Sequence, residues 1–92
     1  MKTKQFYKKG QPIFEQNGYI LTYFYKNGNL KARGISIDGV MEGEWIFYRV
    51  NGQLWQTAGF KSNVKHGRWL RYNRNDQVEY DEIFDNGKKV KR

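Results

Sequence analysis

Hydrophobic residues, many of them aromatic, fall in short runs along this chain, and a turn signal follows each run. The runs cover residues 19–25, 30–37, 44–50, 53–61, 68–73 and 77–84. Asn-Gly, Asp-Gly and Asn-Asp pairs between them favour tight turns, because these residues tolerate positive φ. None of the runs has the spacing of an amphipathic helix. The pattern therefore predicts an antiparallel meander of short strands.

The turn signals repeat with a fixed period. Asn27, Asn51 and Asn75 lie 24 positions apart, and Gly-charge-Trp ends at both Trp45 and Trp69. A period of this length indicates stacked supersecondary units. The predicted fold is all-β, an elongated antiparallel meander of tandem β-hairpin repeats in one domain. Residues 1–18 are predicted to form a degenerate N-terminal capping hairpin, 19–87 the tandem repeats and 88–92 a basic tail.

The faces of the predicted sheet are both aromatic. Side chains alternate along a strand, so Trp45 and Phe47 share one face, and Ile46 and Tyr48 share the other. An antiparallel sheet with one wet face normally alternates apolar with polar residues. Two explanations stay open: the sheet curls so that both faces are partly covered, or one face meets a partner.

The position of Leu54 depends on the preceding turn. A two-residue turn at Asn51-Gly52 would put Leu54 opposite Arg49, on the Trp45 face. A three-residue loop with Gly52 in the left-handed region would put it opposite Tyr48. We favour the second, which groups Leu54 with Ile46 and Tyr48.

Composition narrows the class of protein. Only 38% of the 92 residues are hydrophobic, but 17% are aromatic, which suits a thin β structure. Cysteine is absent, so disulfides and thiolate metal sites are excluded. The N-terminus lacks the apolar segment of a signal peptide and no run reaches the length of a membrane span. A cytoplasmic location is expected.

Positive charge is concentrated before residue 76. The net charge is +8; residues 1–75 carry 13 Lys and Arg against 4 Asp and Glu, whereas residues 76–92 carry 4 against 5. A basic surface favours anionic partners, namely nucleic acid, acidic lipid or an acidic protein.

Candidate catalytic groups are isolated in the sequence. The single histidine, His66, falls in a turn region, and Ser36 and Ser62 lack a nucleophile-elbow context. The C-terminal acids could bind a metal, but we interpret them as charges that discourage edge-to-edge pairing of a late strand. We expect no enzyme activity, no cofactor and no metal site. The acids are Asp76, Glu79, Asp81, Glu82 and Asp85.

A mixture of aromatic and basic residues is the strongest functional signal. Aromatic rings interleaved with arginine can stack on bases and neutralise phosphates, or can form the hot spot of a protein interface. The alternative, which we favour for Trp45 and Trp69, is that they form the core of the array; we expect Arg49, Trp55 and Arg71 to be exposed. The candidate partner-binding residues are Trp45, Phe47, Arg49, Trp55, Trp69 and Arg71.

Two segments carry a family resemblance. Residues 48–54 read Tyr-x-x-Asn-Gly-x-Leu, and residues 63–72 read Asn-x-x-x-Gly-Arg-Trp-x-x-Tyr. Over residues 19–90 the chain resembles the MORN-repeat variant family. The resemblance implies a thin, elongated antiparallel β array. Bacterial members of this variant are often described as antitoxins of the YwqK type, and other MORN proteins as lipid- or protein-binding platforms.

These observations lead to one function hypothesis and two alternatives. The first is a non-enzymatic protein-binding repeat module of the antitoxin or immunity type, which neutralises a partner, such as a toxin encoded nearby, through its aromatic–basic face. The second is a basic module that binds a polyanion, either nucleic acid or an acidic membrane surface. The third is a self-associating scaffold, for example a homodimer formed through open sheet ends.

Overall fold

The computed structural model describes residues 2–6, 10 and 12–91, and these residues form ten strands in one antiparallel sheet, with no helix among them. The all-β prediction is confirmed. The strands are β1 (Lys2–Phe6), β2 (Pro12–Asn17), β3 (Ile20–Phe24), β4 (Leu30–Ile37), β5 (Val40–Tyr48), β6 (Leu54–Lys61), β7 (Val64–Lys65), β8 (Gly67–Tyr72), β9 (Val78–Asp85) and β10 (Lys88–Lys89).

Neighbours in the sequence are neighbours in the sheet. The strand order is β1-β2-β3-β4-β5-β6-β8-β9-β10, and β7 pairs with β6 beside β8. The Cα atoms span 47 × 34 × 15 Å, so the molecule is one thin layer. The first hairpin joins β1 to β2, but residues 7–9 and 11 between these strands lie outside the described residues, as does Arg92 of the predicted tail. The capping role of residues 1–18 stays a prediction.

One edge of the sheet, the loop edge, is built from the loops at residues 25–29, 49–53 and 73–77. In the second loop, Gly52 N donates to Arg49 O at 2.9 Å and Arg49 N donates to Gln53 O at 2.7 Å, and the other two loops repeat both bonds. Gly52 has φ 94°, the left-handed value of a three-residue loop. Leu54 accordingly pairs with Tyr48, as we favoured from the sequence.

The opposite edge, the turn edge, carries two-residue turns. Asp38-Gly39, Ser62-Asn63 and Asn86-Gly87 have positive φ at both positions, as a type I′ turn requires. The Asn17-Gly18 pair also predicts a tight turn from its sequence, but the turn in the structure lies one residue further on. Asn17 still belongs to β2 and pairs with Ile20, so the turn is Gly18-Tyr19. Gly18, at φ 62°, fits the first central position of a type II′ turn.

A repeated bulge lies near the turn edge, once where β4 pairs with β5 and once where β6 pairs with β7 and β8. Arg33 pairs with Ile46 and Ile35 with Glu42, so Gly34 alone faces residues 43–45. The same offset recurs between β6 and the β7–β8 pair. Gly43 and Gly67 have φ 69° and 90° at these bulges. The predicted start of β5 at residue 44 is therefore wrong: the strand begins at Val40 and passes through the bulge.

The two faces of the sheet differ in how deeply their side chains are buried. We call the side that carries Trp45, Phe47, Gln56, Ala58, Trp69 and Arg71 the Trp face, and the other side the Ile face. The Trp face carries the buried apolar residues of the described chain: Ala32, Trp45, Ala58 and Phe84. On the Ile face, Ile35, Ile37 and Ile83 stay 38–39% exposed. A single layer thus forms its core on one side.

Candidate binding surface

Trp45 is the centre of the core. Its side chain is 1% exposed, and its indole lies so close to Gly34 that a Cβ at position 34 would overlap the ring. Trp45 Nε1 donates to Ile35 O at 3.0 Å. Trp69, the residue 24 positions on, repeats this bond with Gly59 O at 2.9 Å. Each indole is therefore fixed on the preceding strand by the same hydrogen bond.

An open trough lies on the Trp face beside Trp45. It has a volume of ≈ 590 Å³ and spans β2 to β5. The small side chains Ala32 and Ser36, both buried, leave room over β4. Aromatic and aliphatic side chains from the neighbouring strands line the space: Phe14, Leu21, Tyr23, Met41, Trp45 and Phe47. Lys31 is the charged residue among the lining residues that the structure describes.

We call positions 24 residues apart equivalent. In the next repeat, the space equivalent to the trough is filled by an aromatic ring. Phe60 stands at the position of Ser36, and its ring meets Trp69 edge-on at 5.3 Å between centroids. Phe84 packs against Trp69 as well, with 5.8 Å between the ring centroids. Since one aromatic replaces one serine, only the first of these two repeats presents the trough.

Arg71 occupies a stacked position on the Trp face. Its guanidinium carbon lies 5.4 Å from the Trp55 ring centroid and 5.3 Å from that of Tyr80. Arg71 Nε also donates to Gln56 Oε1 at 2.9 Å. The planar cation is therefore oriented by two rings and one amide, an arrangement available to arginine but not to lysine.

Hydrogen bonds couple successive loops along the loop edge. Tyr25 Oη donates to Tyr48 O at 2.7 Å, and at the equivalent position Arg49 Nη2 donates to Tyr72 O at 2.9 Å. Gln53 Nε2 also donates to Arg74 O at 2.7 Å. Each repeat is thus tied to the next by side chains reaching backbone carbonyls.

The six candidate residues do not form one exposed patch. Trp45 is buried in the core, as we favoured, and it also lines the trough; its assignment as a partner-binding residue stays a prediction. Arg49, Trp55 and Arg71 were expected to be exposed, but each is half-buried. Arg49 is held by its bond to Tyr72, and Trp55 and Arg71 cover each other. Phe47 stacks on Trp45 at 6.3 Å and lines the trough; Trp69 is half-buried between two rings.

His66 acts as an acceptor for the last turn. Its Nδ1 accepts from Asn86 N at 3.2 Å, as Glu42 Oε1 at the equivalent position accepts from Ser62 N at 2.6 Å. This bond requires Nδ1 to be unprotonated. Asp85 Oδ1 lies 3.7 Å from the same atom. His66 itself lies at the bulge between β7 and β8 and not in a turn, so its assignment to a turn region is wrong in position, although its side chain contacts the Asn86-Gly87 turn.

Two of the C-terminal acids, Asp81 and Glu82, lie beside cationic side chains. Asp81 accepts from Arg68 Nε and Nη2 at 3.1 and 2.9 Å on the Ile face. These hydrogen bonds, and then the charge of Asp81, raise the pKa of the Arg68 guanidinium. Glu82 Oε2 lies 3.7 Å from Lys89 Nζ on the other face. Within residues 2–6, 10 and 12–91, no three His, Cys, Asp or Glu side chains converge as metal ligands would.

Sequence reasoning missed most of the trough. Leu21 and Tyr23 were assigned to a strand but not to a site, and Met41 was left in the connection between two predicted strands. The signal available was the alternation Ala32-x-Gly34-x-Ser36, three small side chains on one face of a strand flanked by aromatic strands.

One comparison with known proteins supports the repeat assignment. The family model described as MORN repeat variant matches residues 65–86. The matched segment covers β8 and β9, and the bulges, loops and Trp hydrogen bond described above recur 24 residues earlier. No curated protein and no solved structure matches the chain. Among the described residues, no helix has the length and hydropathy needed to traverse a bilayer.

Proposed function

We propose that this repeat module is a non-enzymatic protein-binding protein whose trough receives an apolar side chain of an acidic partner. The observation that carries the proposal is the trough itself, an apolar depression of ≈ 590 Å³ with aromatic walls on a molecule one layer thick. Aromatic pockets that admit one anchor side chain are where interface energy concentrates.

Charge determines the kind of partner. The chain carries +8, and Lys31 stands at the trough itself. Further along the Trp face, Lys65 Nζ lies 4.6 Å from the Trp69 ring centroid. A partner with acidic residues around an apolar anchor would complement both features.

The more specific form of the proposal is an antitoxin or immunity protein. It is motivated by the resemblance to the MORN-repeat variant family, whose bacterial members are often described as antitoxins; the family match at residues 65–86 supports the repeat assignment. Co-expression with the protein encoded beside its gene is the test. Growth rescue together with co-purification is expected for a toxin; a neighbour that neither harms cells nor binds would contradict this form.

Ser36→Phe tests the trough, because the chain already uses Phe60 at the equivalent position. The probe is a dye-labelled peptide library in which each peptide carries one Phe or Leu among Asp and Glu residues. Fluorescence anisotropy measures the affinity of each peptide. Burying one such side chain contributes about 1.5–3 kcal/mol, so filling the trough should weaken the selected peptides by at least about tenfold.

Two controls make this test specific. Ile37→Phe adds the same ring on the opposite face and should leave affinity unchanged. Tyr23→Glu, at a trough residue that is 37% exposed, should also weaken binding, whereas Tyr19→Glu in the nearby turn should not. Equal losses from Ser36→Phe and Ile37→Phe, or a library without binders, would refute the trough as the binding site.

A polyanion-binding function is the second candidate, supported by the calculated pI of ≈ 9.8. It predicts that RNA, DNA or anionic vesicles bind with a steep loss of affinity as salt rises. Binding of these probes that persists in Ser36→Phe would favour this candidate over the trough.

A further inference from the structure

A second hollow lies at the loop edge, apart from the trough. It has a volume of ≈ 290 Å³ and takes residues from three successive loops. No acidic side chain is among the residues that line it in the described part of the chain. Its polar and aromatic lining residues are Tyr25, Tyr48, Arg49, Asn51, Trp55 and Arg74.

Arg49 is the unusual member of this set. Its Nη2 is fixed on Tyr72 O at 2.9 Å. Its Nε, however, is buried and has no acceptor within hydrogen-bond distance among the described residues. A buried donor without an acceptor is costly, and its persistence in a folded protein calls for an explanation such as a bound ion or group.

Arg74 lines the same hollow from the next loop. The positions equivalent to Arg49 hold Tyr25 and Asn73, and those equivalent to Arg74 hold Lys26 and Val50. Among the three loops, arginines from two loops therefore line one hollow only where the second loop adjoins the third. Asp76, the acid closest to Arg74 in the sequence, already accepts from Gln53 Nε2 at 2.8 Å.

From this arrangement we propose that the loop-edge hollow binds a carboxylate, presented by an acidic side chain of a protein partner. Guanidinium groups bind carboxylates through short, charge-assisted hydrogen bonds, and the aromatic walls lower the local dielectric and strengthen them. A single small hollow fits one such group, whereas a nucleic-acid strand would need a row of cations along its backbone. The proposal extends the protein-binding function to a second contact point.

The Arg49 Nε–H resonance in nitrogen-15 NMR reports directly on this site. The probe is a tetraglutamate peptide blocked at both ends, with blocked tetraglutamine as the neutral control. Tetraglutamate should shift the Arg49 Nε–H signal in a saturable manner, and tetraglutamine should not. Arg74→Gln should weaken the response by about tenfold or more. Arg68→Gln, which removes the same charge on the Ile face, should not.

Other outcomes would overturn the proposal. Equal losses from Arg74→Gln and Arg68→Gln would show general charge attraction. Stronger binding of an oligothymidylate would show a nucleic-acid contact, and saturation by inorganic phosphate without a response to tetraglutamate would show a free-anion site. Ser36→Phe should leave the Arg49 signal and its titration unchanged, so failure at the trough and failure at the hollow are separable.

Discussion

At the scale of single residues, Trp45 and Gly34 form a contact that leaves no room for a Cβ. The indole covers the backbone of β4 where a Cβ would overlap it, and its Nε1 is bonded to the next carbonyl. Glycine is required here for space, since its φ is not positive. At the equivalent contact the residue is Ala58, so Trp69 sits over a slightly larger neighbour.

Gly34→Ala should therefore destabilise the protein by about 1–3 kcal/mol, the range expected when a methyl group is forced into a packed core. Urea unfolding measures it. In a Trp45→Leu background the same change should cost much less, because the overlapping ring is gone. A cost that is equal in both backgrounds would mean that backbone effects, not the indole, disfavour alanine.

At the scale of the elements, side-chain acceptors fix two of the turns at the turn edge. Glu42 and His66 each stand at the bulge and accept a backbone N–H from the following turn. Different residue types thus perform one task at equivalent positions. The shared acceptor role is visible only in the structure, because glutamate and histidine have different side-chain chemistry.

His66→Ala should cost about 0.5–1.5 kcal/mol through loss of the bond from Asn86 N–H. His66→Gln retains an acceptor oxygen without adding charge beside Asp85 and should cost less. Thermal unfolding of the two variants at the same pH measures the difference. If both lose equal stability, packing of the imidazole rather than its acceptor nitrogen is what matters.

The whole molecule was more predictable than its site. Period, turn residues and strand parity indicated the all-β meander, the pairing of Leu54 with Tyr48 and the shared face of Trp45 and Phe47. The burial of individual side chains was harder to predict from the sequence, because it depends on neighbours across the strands. Arg49 is half-buried through a bond to Tyr72, a residue 23 positions away. The trough likewise depends on which strands flank Ser36.

A single-layer sheet should also have graded stability. Contacts run mainly between adjacent strands, as in other repeat arrays, so each strand's protection reflects its immediate neighbours. β5 has a long partner on each side and carries Trp45, whereas β10 is two exposed residues paired with β9 alone. Amide hydrogen exchange should therefore be slowest in β4–β6 and fastest in β10.

Amide hydrogen exchange of Gly34→Ala tests whether the strands unfold separately. If neighbour contacts dominate, the loss of protection should be largest in β4 and β5 and should diminish toward β9, which the substitution does not touch. Uniform loss in every strand would instead show that the sheet unfolds as one cooperative unit. In that case its repeats would be units of sequence and geometry, without being units of stability.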